Sequence, residues 1–234
     1  MSQRFFVDKI ISGDTANLVG QEAQHLLKVM RADVGDELIV FDGSGDEFTA
    51  IVSGISRSDV DVTIVQRRSI ERELDFRLTL GVALPKGDRQ RWLIEKLTEL
   101  GVTRLVPLVT TRGVAQPSEQ ALVRLQRFVI EASKQCGRNR LMEIAPPQTC
   151  RDFLTETAEH RLRLLAHPSD AALPALPERK LRDVDVGIGP EGGFTEEEVL
   201  PAMTAGWQCV SLGTRILRVE TAAIAIAAAL SLRG

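Results

Sequence analysis

The 234-residue chain has no tyrosine, and only 4% of its residues are aromatic. That scarcity argues against a broad base-stacking platform of the kind that grips single-stranded nucleic acid. Its three cysteines, Cys136, Cys150 and Cys209, are scattered, odd in number and free of any CxxC pair. They exclude a disulfide framework, give no zinc spacing and fit a reduced, cytoplasmic compartment, so no metal is expected and each cysteine reads as a small core residue. No segment reaches the roughly 18 apolar residues of a bilayer span, and no membrane partner is expected. The opening MSQRFFVDKIISGD carries charge through its apolar part and lacks a signal-peptide core. Of the three histidines, His25 and His160 have no partner pattern and read as structural or surface residues.

The net charge of -3 hides an uneven distribution. Residues 71–140 hold 13 Lys/Arg against 8 Asp/Glu, whereas residues 1–70 hold 7 against 11 and residues 141–234 hold 9 against 13. A basic middle between acidic flanks is either a phosphate-facing stripe or a solvated, salt-bridged helical face.

The first seventy residues read as short strands, RFFV, ELIVFDG, EFTAIVSGI and DVDVTIVQ, broken by glycine turns and one helical piece, Gln21–Arg31. Closely spaced strands with little helix imply a small β-barrel, 1–70. Arg67–Asp75 reads as a charged connector. From Arg77 the rhythm changes to strand–helix alternation, the mark of an α/β domain with a mostly parallel sheet, 71–234. Amphipathic helices are expected over Arg89–Gly101 and Ser118–Gly137, each closed by a glycine. The final stretch, Glu220–Gly234, is apolar nearly all round and must be covered, in the protomer core or at a subunit seam.

Ligands of such sheets bind at the carboxyl ends of strands, and three glycine- or proline-marked loops fall there, after Leu84, Gly187 and Leu212. GPEGGF (Gly189–Phe194) is followed by Thr195 and Glu198 at capping-box spacing. It lacks the GK[ST] of a phosphate loop and reads as not G-x-G-x-x-G, which disfavours a dinucleotide oxidoreductase. Glu191 and Glu196–Glu198 would repel a phosphate, so a ligand carrying positive charge fits better. The second loop, LGTRILRVETA (Leu212–Ala222), runs into the terminal helix with Glu220 in or beside its first turn. Two loops from different strands could enclose one ligand; a structural turn is the alternative for either.

Together these two stretches resemble the signature pair of the SPOUT methyltransferases, and most closely the ribosomal RNA small subunit methyltransferase E family, which methylates N3 of a uridine in 16S ribosomal RNA. HLLKVMR, GDELIVFDGSG, WLIEKLTELGV and EASKQCGRNR also look like family segments in family order, so the resemblance covers nearly the whole chain. It implies a C-terminal α/β domain with a trefoil knot, a PUA-like RNA-binding barrel before it, S-adenosylmethionine as cofactor and a homodimer. Lys134-Gln135-Cys136 departs from the family, which commonly has glutamate and serine there; His167-Pro168 matches a family dipeptide.

Carried over residue by residue, the resemblance implies cofactor contacts at Leu165, His167, Gly189, Pro190, Glu191, Gly192, Leu212, Gly213, Ile216 and Leu217. Methyl transfer to an imide nitrogen needs alignment, loss of a proton and a nearby positive charge. Arg218 or Arg138 could supply the charge, with an Arg218–Glu220 salt bridge as the structural alternative. Glu191 could take the proton, hold the cofactor's cationic end or merely precede the helix. Phosphate contacts are expected from Lys28, Arg31, Lys86, Arg89, Arg91, Arg138 and Arg140. A nonenzymatic RNA-binding module is the competing class, and it predicts no cofactor affinity.

Overall fold

The computed structural model describes residues 4–113, 117–156, 161–167 and 183–232. By packing, the chain forms two units: Met1–Glu73 with Ser133–Leu141, and Leu74–Ala132 with Met142–Gly234.

The first unit is a five-stranded sheet built from β1 (Arg4–Phe6), β2 (Thr15–Leu18), β3 (Glu37–Phe41), β4 (Asp46–Ile55) and β5 (Val60–Ser69), in the order β1-β3-β4-β5-β2. Only the β1–β3 pair is parallel. Alternation along the strands sends Phe48, Ala50, Val52, Val60 and Val62 into one core with Phe5, Leu18, Leu26 and Val40, as a sheet with one covered face requires. Two register shifts in β4, after Thr49 and after Val52, mark bulges, which bend a strand. β2 is the sequence TANL, whose period gives no sign of a strand; pairing with β5 makes it one. The stretch from Arg67, expected as a connector, begins inside β5.

The helical piece departs from the expected α-helix. α1 (Gly20–Gln24) passes into a π-helical segment, His25–Met30, that ends at Arg31 with φ 54°. The wider winding turns Leu26, Leu27 and Met30 toward the core together and leaves Lys28 and Arg31 exposed. The segment 133–141 returns to this unit from far along the chain. Arg138 pairs with Glu73 at 2.5–3.1 Å, Lys134 with Glu22 at 2.9 Å, and Arg72 donates to the Gly137 carbonyl at 2.7 Å.

In the second unit, all the pairings are parallel: β6 (Arg77–Val82), β7 (Arg104–Val109), β8 (Glu143–Ile144), β9 (Gln148–Thr149), β10 (Leu162–Ala166), β11 (Asp183–Ile188) and β12 (Gln208–Val210). Their order is β12-β10-β11-β6-β7-β8, with β9 following β8 along β7. The helices are α2 (Arg89–Glu99), α3 (Glu119–Cys136, counted with the first unit from Ser133 on), α4 (Cys150–Thr155), α5 (Glu196–Thr204) and α6 (Val219–Ser231). Phe153, Leu154, Leu165, Phe194, Ala202 and Trp207 share one core cluster, and α6 packs on α2, β6 and β11. Most residues of β6, β7 and β11 are buried, the pattern of strands covered on both faces. Two glycines permit the close packing. A Cβ on Gly81 would lie 2.4 Å from the Phe153 ring, and one on Gly187 2.8 Å from Leu165.

β8, β9 and α4 are too short to carry a period. α4 starts because Thr149 Oγ1 accepts from the Asp152 amide at 3.1 Å. No helix among the described residues is long and apolar enough to cross a membrane.

Candidate functional site

The carboxyl ends of β10, β11 and β12 open onto a cleft of about 830 Å³, within the size range of small-molecule sites. Its walls are Ala166 and His167 at the end of β10, Ile188–Phe194 from the end of β11 onward, and Val210–Leu217 from the end of β12 onward. GPEGGF forms a tight turn in which the Gly193 amide donates to the Pro190 carbonyl at 2.8 Å. Gly193 has φ 70° and Gly213 φ 107°, values that L side chains rarely adopt. Phe194, buried in the core, anchors the turn: a Cβ on Gly189 would meet its ring at 3.1 Å.

The helix start expected at Thr195 is present. Glu198 Oε2 accepts from the Thr195 amide at 2.9 Å, while Oε1 accepts from the Thr111 amide and hydroxyl at 2.9 and 3.1 Å. Burial works against the Glu198 charge, but these hydrogen bonds outweigh it and hold the carboxyl below the usual range. Arg112 adds a second tie, donating to the Gly192 carbonyl at 2.7 Å, and lines the cleft. The loop after β7, Thr110–Gly113, thus supports GPEGGF, and the sequence reading missed it. The signal was available: TTRG follows the strand RLVPLV and carries a charge and a glycine at a strand end, like the three loops that were singled out.

A further glycine pattern overlaps the turn. Starting two residues earlier, Gly187-Ile188-Gly189-Pro190-Glu191-Gly192 does spell G-x-G-x-x-G. The geometry is nonetheless unlike a dinucleotide turn: Gly187 lies within β11 against Leu165, and α5 begins only at Glu196.

Charge at the cleft comes from Arg112, Glu191 and Arg215. Arg89 Nη1 lies 3.1 Å from Glu191 Oε1 and 3.5 Å from Glu220 Oε2. Glu220 is only 4% exposed, and its Oε2 has no hydrogen bond. His167 Nδ1 is likewise buried without a hydrogen-bond partner. A smaller cavity of about 60 Å³ adjoins, lined by Ala83–Lys86, Arg89, Leu108 and Gly113, and it shares Pro190 and Glu191 with the cleft.

The expected residues sort unevenly. His167, Gly189, Pro190, Glu191, Gly192, Leu212, Gly213, Ile216 and Leu217 all line the cleft; Pro168 and His160 lie outside the described residues. Leu165 does not line it, because its side chain is fully buried in the core. Arg138, expected at the reacting base or on RNA, is 3% exposed and held by Glu73 inside the first unit, so its role is structural. Glu220 pairs with Arg89, which leaves Arg218 exposed at the α6 N-cap. Lys28, Arg31, Lys86, Arg91 and Arg140 are exposed, Arg91 bonding Glu95 at 2.7 Å. Among the described residues, no group of three or more His, Cys, Asp or Glu is placed to hold a metal ion.

A parallel α/β unit with its cleft at the ends of three adjacent strands defines a class, and the comparisons state it. The family described as the RNA methyltransferase domain matches residues 72–231, and the RNA methyltransferase PUA domain matches 18–65. Two relatives are named ribosomal RNA small subunit methyltransferase E. That of Synechocystis sp. is 34% identical, covering 89% of this chain and 70% of its own length; that of Rickettsia conorii is 31% identical, covering 97% and 93%. The Neisseria gonorrhoeae enzyme of that name, solved bound to S-adenosyl methionine, is 30% identical with TM-score 0.90, covering 100% of this chain and 98% of its own. A Legionella pneumophila methyltransferase solved with bound SAM is 31% identical with TM-score 0.91 and the same coverage. The chain belongs to the ribosomal RNA small subunit methyltransferase E family.

Proposed function

We propose that this chain binds S-adenosylmethionine in the cleft and transfers its methyl group to N3 of a uridine in 16S ribosomal RNA, acting as a homodimer in the cytoplasm. The observation that supports this reading is the make-up of the cleft at the ends of β10, β11 and β12. Its residues fit the cofactor. The two glycine turns offer backbone groups, Leu212, Leu217 and Ala222 an apolar wall, Glu191 a carboxylate, and His167 Nδ1 a buried atom with nothing to bond.

The bound cofactor supplies an electrophilic methyl on a sulfonium. The chain must then orient the base, remove the N3 proton and tolerate the resulting imide anion. Glu191 meets the second need. Arg89 occupies its Oε1, so Oε2 is the oxygen that accepts the proton. Arg218, exposed at the start of α6, supplies positive charge for the anion. Exposed Lys28, Arg31 and Arg140 on the first unit, and Lys86 and Arg91 on the second, hold RNA phosphates and make binding weaken as salt rises.

The trefoil knot belongs to the same reading. The chain leaves edge strand β12, passes through residues 211–218 and ends as α6 against α2, β6 and β11, on the far side of β10 from that edge. The homodimer uses apolar surface on this unit such as Trp92 and Leu232, which are exposed in the single chain.

Two measurements test the proposal. Calorimetry with S-adenosylmethionine is expected to show one site per chain; no binding would leave an RNA-binding module. Mass spectrometry of 16S nucleosides from a strain lacking the chain is expected to show loss of 3-methyluridine, and an unchanged level would sink the substrate assignment.

A further inference from the structure

We infer that Arg89 is a positioning residue that latches the GPEGGF turn to the first turn of α6, and is not an RNA phosphate contact. The inference rests on reading the cleft as the cofactor site. A single guanidinium nitrogen, Nη1, serves Glu191 at 3.1 Å and Glu220 at 3.5 Å. Three elements far apart in sequence therefore meet at one atom: the start of α2, the turn after β11 and the start of α6.

Burial decides which partner makes Arg89 indispensable. Glu220 is 4% exposed and its Oε2 has no hydrogen bond, so Arg89 is the counter-charge that offsets burying this carboxylate. Glu191 is nearly half exposed, and such a pair alone adds little stability. What it contributes is order. The turn contains Gly192 and Gly193, whose backbone freedom must be restrained from outside. Arg112 holds the Gly192 carbonyl and Arg89 holds the Glu191 carboxylate, so two arginines from different elements pin one turn.

The base of the latch is itself fixed. Next to Arg89, buried Gln90 donates to the Pro85 carbonyl at 2.8 Å and accepts from Arg124 at 3.1 Å, while α2 packs on α6. Pro190 and Glu191 line both the cleft and the smaller cavity, so the latch sets the shape of both. Within the latch one guanidinium faces two carboxylates, while Arg112 and Arg215 bring positive charge to the cleft wall.

The test compares Arg89→Gln, Arg89→Lys, Glu191→Gln and the double variant Arg89→Gln/Glu191→Gln. Three readouts are taken: affinity for S-adenosylmethionine without RNA, hydrogen exchange of the 191–194 amides without any ligand, and affinity for 16S ribosomal RNA across a salt series. Arg89→Gln is expected to weaken cofactor binding about tenfold and to speed exchange in the turn. Arg89→Lys restores part of both, and RNA affinity with its salt slope stays unchanged. In the Glu191→Gln background the Arg89→Gln change costs less than it does alone, because both act through one contact.

Unaltered cofactor affinity and exchange would overturn the latch. So would a salt slope reduced by about one unit, the signature of a lost phosphate contact. If Arg89→Gln fails to fold, Arg89→Lys, which keeps the charge, carries the same readouts. Failure of the wild-type chain to bind S-adenosylmethionine would sink the proposed function, while hydrogen exchange still decides the latch.

Discussion

β5 in the first unit buries Val60 and Val62 and exposes Asp61 and Thr63; β11 in the second buries every residue from Val184 to Ile188. One sheet is covered on a single face and the other on both. In the second unit only strand ends are left to meet solvent, and the cleft lies there. The first unit carries charge on its exposed faces and on the π-helical turn, where Lys28 and Arg31 are exposed, and it also encloses Glu47 and Arg138. The parallel sheet uses its faces for packing and its strand ends for the cleft, while the first unit leaves one sheet face exposed.

Adding one methyl group to a glycine of each sheet tests that contrast most severely. Gly81→Ala drives a Cβ to 2.4 Å from the Phe153 ring, and overpacking of this kind costs about 1–3 kcal/mol. Gly54→Ala in β4 meets nothing closer than 3.4 Å and is expected to change stability by no more than about 0.5 kcal/mol. Thermal unfolding of the two variants reads the difference; equal losses would break the comparison.

Acid sharpens it next, because each unit holds one depressed glutamate. Burial opposes ionisation of Glu47, yet Arg4 and Arg72 outweigh it and lower its pKa, as Thr111 and Thr195 do for Glu198. A folded-state pKa below the unfolded value stabilises above the ordinary carboxylate range and loses that stabilisation as pH falls through the folded value. Glu47→Gln and Glu198→Gln are each expected to cost about 1–2 kcal/mol at neutral pH. Their deficits should close below pH 4.5, the ordinary glutamate value, as the wild type protonates. Denaturation midpoints at pH 7 and pH 3 check both the size and the sign.

The gentlest probe is thiol labelling. Burial, reinforced by nearby Glu198, pushes the Cys150 thiol up to about 12, and burial also raises Cys209. Cys136, partly exposed in the first unit, is expected to react first with iodoacetamide at pH 8 and Cys150 last, because the thiolate is the reactive form. Mass spectrometry of the labelled peptides gives the order.

Much of this was legible without coordinates, and the reason differs by element. Strand and helix periods run over neighbouring residues, so β3 to β7, β10 and β11 could be read from pattern. The capping residues of α5 were legible because Thr195 and Glu198 lie within one turn. β2, β8 and β9 were not, since two to four residues carry no period and exist only by pairing. The π-winding of His25–Met30 was equally invisible, because a core contact chose it over the α-helix the local sequence permits. At the site, the glycine turns announced themselves by composition, whereas Arg112 and Thr111 looked like any other surface residues and Arg89 read as a phosphate contact. The mistaken use of Arg138 has the same root: a basic segment reads as a solvated stripe until Glu73 is seen beside it.

By itself, then, the sequence determined the longer strands and helices, the capped start of α5, and that two glycine turns belong to one family's signature. Period, capping and turn chemistry act between residues a few positions apart, so they are written in the order of the chain. Only the tertiary structure decided which arginine meets which carboxylate. Arg89, Glu191 and Glu220 are separated by 102 and 29 positions, and no local rule selects Arg89 from the Lys and Arg around it. Burial makes that choice, because an enclosed carboxylate must find its counter-charge among whatever the fold brings within a few ångströms.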